Sequence, residues 1–239
     1  MSTGEAQEKT PVYGYLQQPS MVDFEGHLSM VIFTSGCNFE CGFCHNAPLM
    51  AEPKLGLTWD KLEHACKQFR LQWVDGVVIS GGEPTIWGDK LLELIEFFNR
   101  QQLDIKLDTN GSNPELLQEA IPLVDYVSMD VKCSPQNYPR LTGFDSEDKI
   151  QKSIRTIIDS EIRHEFRTTV IEDFHTNSEM SEICRLIEGA QYYILQPFLP
   201  RDNLPDPVLR SKPRTSPDRL TQLQKQMEGC AQSVITRGN

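Results

Sequence analysis

The sequence predicts an α/β fold whose parallel strands wrap into a partial (β/α)6-type TIM barrel. Three observations carry that expectation. Short apolar, β-branched runs alternate with segments whose apolar residues recur every three or four positions. Six or seven such units follow one another, more than a small open sheet takes. Polar motifs recur where the apolar runs end, the face on which parallel barrels build their sites.

In chain order, residues 27–35 (HLSMVIFTS) read as a first strand that runs into a cysteine-rich loop. Thr58 is placed to cap a helix reaching Gln72. Residues 76–80 (GVVIS) form an apolar run of the kind buried on both faces in parallel sheets. Leu91, Leu94, Ile95 and Phe98 then mark one helix face. A strand at 104–108 follows, and Asn113-Pro114 opens a helix with its cap and first-turn proline. The pattern continues with a strand at 126–131, a helix face of Ile150, Ile154, Ile157 and Ile158, a strand at 166–171, a helix at 178–188 and a strand at 192–195. Ser216-Pro217 opens a last helix, and 233–236 is a candidate final strand. The proline-rich stretch 200–217 reads as an extended surface segment rather than a linker. One domain is expected over 1–239, with 1–12 flexible and 200–239 a C-terminal extension bearing one helix.

Of the 239 residues, 38% are hydrophobic and 24% charged, which excludes wholesale disorder. No run approaches the roughly 18–20 apolar residues that span a bilayer, so no membrane partner is expected. Residues 1–10 lack a signal-peptide pattern, and the expected location is cytoplasmic. A net charge of -11 gives no general attraction to phosphate backbones, and nucleic acid is not an expected partner.

Seven cysteines in such a chain read as free thiols or ligands. Cys66, Cys133, Cys184 and Cys230 are scattered and read as small buried hydrophobes. Cys37, Cys41 and Cys44 instead form C-x3-C-x2-C on one short loop. Three thiolates can hold zinc with a fourth ligand, for which His45, beside Cys44, is awkwardly placed. They can also hold a 4Fe–4S cluster with one iron left open for a ligand, and thiolate softness favours the cluster.

The loop is followed, one strand–helix unit later, by Ser80-Gly81-Gly82-Glu83-Pro84. This pairing resembles the radical S-adenosylmethionine (SAM) superfamily over about residues 13–198, with Phe43 in the place of that family's aromatic residue before the third cysteine. The resemblance implies a barrel of the radical SAM kind, with one 4Fe–4S cluster on Cys37, Cys41 and Cys44 and SAM beside it. It implies that Gly81, Gly82 and Glu83 receive the methionyl ammonium, the glycines by close backbone approach and the carboxylate by its charge. Asp108-Thr109-Asn110-Gly111 and Asp130-Val131-Lys132 resemble strand-end motifs of glycyl-radical-enzyme activases. By that likeness Lys132 faces the SAM carboxylate, while Asp108, Asn110 and Asp130 line the polar region beside it, with a monovalent cation as a further cofactor. Arg167 resembles an activase arginine near SAM, and Gln196 is placed to touch the adenine. Read without the resemblance, the Asp108 segment is a turn, Asp130 and Lys132 a solvated pair, Arg167 a strand-end salt bridge and Gln196 a core-edge amide. His175 reads as a surface histidine.

Cys44-His45-Asn46-Ala47-Pro48 narrows the likeness to activating proteins of anaerobic (class III) ribonucleotide reductase, with His45 among the cofactor-side residues. The run 18–26 and the segments 166–170 and 193–196 are similar to theirs as well. Only Cys66 lies between Cys44 and Gly81, so the ferredoxin-like insert of some activases is missing. The implied activity is reductive cleavage of SAM to a 5′-deoxyadenosyl radical that abstracts a hydrogen from a glycine of a partner glycyl-radical enzyme. Flavodoxin or ferredoxin is the implied electron donor. The alternatives are a radical SAM enzyme acting on a small molecule, such as a 7-carboxy-7-deazaguanine synthase, and a non-enzymatic iron–sulfur or zinc protein.

Overall fold

A computed structural model describes residues 8–238. Its sheet has eight strands in chain order: β1 (Val12–Tyr15), β2 (Ser29–Thr34), β3 (Gly76–Gly81), β4 (Asp104–Thr109), β5 (Tyr126–Asp130), β6 (Arg163–Val170), β7 (Ala190–Pro197) and β8 (Ala231–Thr236). β1 is antiparallel to β2, and β2 through β8 are parallel throughout. The parallel α/β sheet is the one expected, with a seventh parallel strand at its far edge.

The crossovers are helical: α1 (Trp59–Arg70), α2 (Asp89–Arg100), α3 (Pro114–Ala120), α4 (Tyr138–Thr142), α5 (Glu147–Asp159), α6 (Asn177–Leu186), α7 (Pro207–Arg210) and α8 (Pro217–Gln226). Several begin at the caps the sequence marks. Thr58 Oγ1 accepts from the Lys61 amide at 3.4 Å, and Asn113 Oδ1 accepts from Leu116 at 3.3 Å. The segment 200–239 carries two helices, α7 and α8, rather than one, and ends in β8. Within the expected flexible terminus, residues 1–7 lie outside the described residues, whereas Thr10 and Val12 are fully buried.

Alternate residues of the strands face two different environments. One set (Ile32, Ile79, Leu107 and Met129 among others) packs with Leu94, Phe98, Ile154 and Ile157 of the helices in a single large apolar cluster. The other set faces the barrel interior. Its lowest row aligns Val31, Val78, Lys106 and Tyr126, with Phe24 packed beneath. Higher rows align Asp108, Ser128 and Glu165, then Asp130 and Arg167. His27 stacks on Phe24 with ring centroids 4.1 Å apart and lies near Asp75 and Asp104, closing the N-terminal end of the barrel.

Two expectations about side chains fail. Cys184 on α6 and Cys230, just before β8, are joined in a disulfide instead of standing as separate thiols. His175 is completely buried rather than on the surface, because the loop after β6 folds under the loop after β5.

Candidate active site

The C-terminal strand ends meet the cysteine loop around a cavity of about 420 Å3, within the usual range of small-molecule sites. All fourteen residues singled out in the sequence lie on its wall: the three cysteines, Phe43, His45, Gly81, Gly82, Glu83, Asp108, Asn110, Asp130, Lys132, Arg167 and Gln196. Asp23, Ser80 and Thr169 also line it and were not marked beforehand. All three lie in segments the sequence brings forward without giving them a role, and register adds a signal for two of them, Ser80 pairing with Phe33 and Thr169 with Gln196.

The cysteine loop is pinned to the strand ends by backbone contacts that only glycine permits. The Glu83 amide donates to Gly36 O at 2.8 Å, and Gly82 lies so close that a Cβ there would stand 1.9 Å from Gly36 O. Gly81 has φ +130° and packs as tightly on Thr34. Cys37, Cys41 and Cys44 are free and share the cavity wall. Phe39 N–H points at Cys37 Sγ at 3.4 Å, and Asn110 Nδ2 stands 4.0 Å from the same sulfur. Burial pushes the Cys37 thiol up to about 11 and the Cys41 thiol up to about 12. Buried thiols that resist losing their protons to water are stabilised as thiolates by a soft metal. The donor set fits an iron–sulfur cluster: three thiols around a cavity with room for a multi-iron group.

Glu83 is held more firmly than the sequence suggests. Its carboxylate accepts from Thr85 N (3.1 Å), Thr85 Oγ1 (2.7 Å), Thr109 Oγ1 (2.7 Å) and Asn110 N (2.6 Å). Oε1 takes three of these donors and Oε2 one, so the carboxylate brackets the ends of β3 and β4 while Oε2 keeps acceptor capacity on the cavity wall. Burial raises its pKa, against the pull of those four donors.

Asp108, Asp130, Lys132 and Arg167 form one ionic group. Arg167 Nε donates to Asp130 at 2.8 Å, its Nη1 stands 3.4 Å from Asp108, and Lys132 Nζ donates to Asp130 at 2.8 Å. Burial opposes charge on Asp130, but Arg167 and Lys132 outweigh it and hold the carboxyl well below its usual range. Burial also opposes charge on Lys132, and Asp130 overcomes it, so the amine stays protonated. Asp108 Oδ1 is buried with no hydrogen-bond partner. Deeper still, Glu165 takes Lys106 at 3.2 Å, Ser128 at 2.8 Å and Arg237 at 3.0 Å. Burial would raise its pKa, yet the surrounding cations bring it down to about 2.

Lys132 is held from behind. Its amide donates to Tyr138 Oη at 3.1 Å, and its carbonyl accepts from His175 Nε2 at 2.9 Å. His175 Nδ1 accepts from the Ile171 amide at 2.9 Å, which fixes the tautomer. His45 is a tether too, its Nε2 donating to Leu199 O at 3.0 Å. Gln196, at the end of β7, is partly buried on the cavity wall.

Comparison with known proteins places this arrangement. A model of the radical SAM superfamily matches residues 31–187. A Methanocaldococcus jannaschii protein named "putative glycyl-radical enzyme activating enzyme" is 32% identical over 91% of this chain and 92% of its own length. The pyruvate formate-lyase-activating enzyme of Clostridium pasteurianum is 25% identical over 77% of this chain and 80% of its own. Among solved structures, Streptococcus suis SuiB bound to its precursor peptide SuiA superposes with a TM-score of 0.70 at 17% identity, covering 94% of this chain and 50% of SuiB. That likeness concerns the fold, whereas the family match spans the cysteine loop and the strand ends through β6. The protein belongs to the radical SAM superfamily and is one of its enzymes.

Proposed function

We propose that this enzyme installs a glycyl radical on a partner protein, with an anaerobic (class III) ribonucleotide reductase as the first candidate. The observation that carries the reading is the near end-to-end similarity to a protein named as an activating enzyme of glycyl-radical enzymes. Cys37, Cys41 and Cys44 hold the 4Fe–4S cluster, and the 420 Å3 cavity beside them takes SAM. When bound, the cluster supplies one electron that splits SAM into methionine and a 5′-deoxyadenosyl radical.

The chain's own groups bind and orient. Lys132 and Arg167 offer fixed positive charge to the methionyl carboxylate. Gly81 and Gly82 expose backbone to the amine, and Glu83 Oε2, which accepts only from the Asn110 amide, adds its charge. Gln196 offers its amide to the adenine. Asp108 Oδ1 accepts no hydrogen bond, but Lys106 Nζ stands 3.9 Å from it and the Arg167 guanidinium bridges Asp108 and Asp130, so the chain's own cations already occupy the polar region where a monovalent cation is expected. The partner's glycine suits the radical because its Cα carries no side chain to obstruct approach. A flavodoxin or ferredoxin serves as electron donor.

The test is anaerobic incubation of the iron-reconstituted, reduced protein with SAM and the candidate partner, followed by electron paramagnetic resonance. A stable glycine-centred radical on the partner is expected. Turnover of a small pterin or nucleoside substrate with no protein radical under any pairing would replace this reading with that of a deazaguanine-synthase-type enzyme.

A further inference from the structure

The likeness to activases implies a monovalent cation beside Asp108 and Asp130, and the residues around these carboxylates do not fit one. Two positions before Asp108, and so on the same face of β4, Lys106 runs through the barrel interior with its side chain only 4% exposed. Its ammonium donates to Asp23 O at 2.7 Å and to Glu165 Oε1 at 3.2 Å. It also stands 3.9 Å from Asp108 Oδ1, the buried oxygen that accepts no hydrogen bond. The Tyr126 ring centroid lies 5.4 Å from the same ammonium.

Lys106 belongs to a connected set of ion pairs. Glu165 joins it to Arg237 at 3.0 Å and to Arg167 at 3.9 Å, Arg167 continues to Asp108 and Asp130, and Asp130 ends on Lys132. Four cations (Lys106, Lys132, Arg167 and Arg237) therefore face three carboxylates (Asp108, Asp130 and Glu165). The surplus of one positive charge matches the single negative charge of a methionyl carboxylate. A bound monovalent ion would add a fifth positive charge to a group already in surplus, in an interior where repulsion is weakly screened. Arg237 makes this arrangement possible. It comes from just beyond β8, outside the residues 31–187 that match the superfamily, and engages both Glu165 oxygens, which leaves Lys106 to act on Asp108 as well. Asp23 adds no free carboxylate to the set, since its side chain accepts from Ser20 and only its carbonyl turns to Lys106.

We propose that the Lys106 ammonium takes the place of the monovalent cation, so that this protein binds SAM without one. The inference rests on the reading that the 420 Å3 cavity takes SAM. Lys106 lies beneath the cavity wall rather than on it, and is a positioning residue that acts through Asp108. Asp108 Oδ1 faces Lys106, while its Oδ2 accepts from Ser80 at 3.1 Å and faces Arg167 at 3.4 Å. Fixed from both sides, Asp108 anchors the guanidinium beside Asp130, where the methionyl carboxylate arrives. A lysine is attached to the chain, so its charge is present whatever the salt composition.

The test measures SAM affinity of the iron-reconstituted protein by calorimetry in choline, sodium and potassium chloride at one ionic strength, which holds screening constant. The three affinities should agree within twofold, and a larger gain in sodium or potassium over choline would overturn the inference. Lys106→Gln keeps a donor for Asp23 O and Glu165 and removes the charge. In choline this variant should lose at least tenfold in SAM affinity, and sodium or potassium should restore most of the loss, a response that a merely structural defect would not give. Binding as tight as wild type in choline, or a loss that neither ion repairs, would overturn the inference. The wild-type series decides by itself if Lys106→Gln fails to fold. Absence of SAM binding in every salt would remove the SAM reading, and the inference with it.

Discussion

The two faces of the sheet are built from the same strands and follow opposite rules. The outer face is largely apolar, from Ile32 through Phe166 and Tyr193 to Leu195, and its partners are the equally apolar flanks of α1, α2, α5 and α6. The inner face carries Lys106, Asp108, Asp130, Glu165 and Arg167, each answered by a counter-charge or a donor. The first face supplies stability by area removed from water. The second is costly to enclose and stays charged only because its members are mutually paired. Stability and ligand recognition are thus separated by the pleat of a single sheet, one residue apart along each strand.

That separation can be tested by four perturbations of decreasing size. Cys41→Ala touches only the inner chemistry. It should abolish the cluster, dropping iron from about four per chain to near background, while circular dichroism shows the fold retained. A chain that instead unfolds would mean that the cysteine loop is structural and the two faces are not independent. Leu94→Ala, at the outer interface, should cost about 2–5 kcal/mol in denaturant unfolding with SAM affinity unchanged in what remains folded. A matching loss of SAM affinity would break the comparison from the other side. Asp130→Asn keeps the shape and removes the charge that steadies both Arg167 and Lys132. It should weaken SAM binding by about 1–3 kcal/mol, read by calorimetry, with iron content unaltered.

The smallest effect concerns His175. Burial holds its pKa below the ordinary 6.5, against the hydrogen bonds that favour its charged form. Below pH 6.5 the unfolded chain therefore takes up a proton that the folded chain refuses, and stability falls as pH drops, by at most about 1.4 kcal/mol per pH unit. His175→Gln, which keeps a donor for the Lys132 carbonyl, should flatten that slope. His164, also lowered by burial, contributes with the same sign and remains as an internal reference. An unchanged slope would show that His175 does not titrate across unfolding.

How far the sequence discloses these features depends on whether they are local. The GVVIS run and the spacing of Ile150, Ile154 and Ile157 declare their elements because burial imposes a period on consecutive residues. β1 escaped notice since VYGY is four residues long, interrupted by a glycine and paired along one side only. The cysteine spacing and the strand-end motifs are equally local, and the fourteen residues they nominate line one cavity. The aim of each side chain is not local. Glu83 is legible as a carboxylate beside two glycines, but its orientation is set by Thr109 and Asn110, some 26 positions away. His175 sits among Asp173, Thr176 and Asn177, neighbours that suggest water, and is buried by a strand end 43 residues upstream. The Cys184–Cys230 pairing spans 46 positions with nothing in either neighbourhood to announce it.

The coincidence of spatial and chain order in the sheet has a consequence for biosynthesis. Every strand pairs with the one made just before it, so each emerging unit meets an edge that already exists, and loop-closure entropy stays small throughout. The cysteine loop is tied down in stages: Gly36 meets the Glu83 amide soon after synthesis, Glu40 meets Thr142 later, and the His45 contact to Leu199, across 154 positions, must await nearly the whole polypeptide.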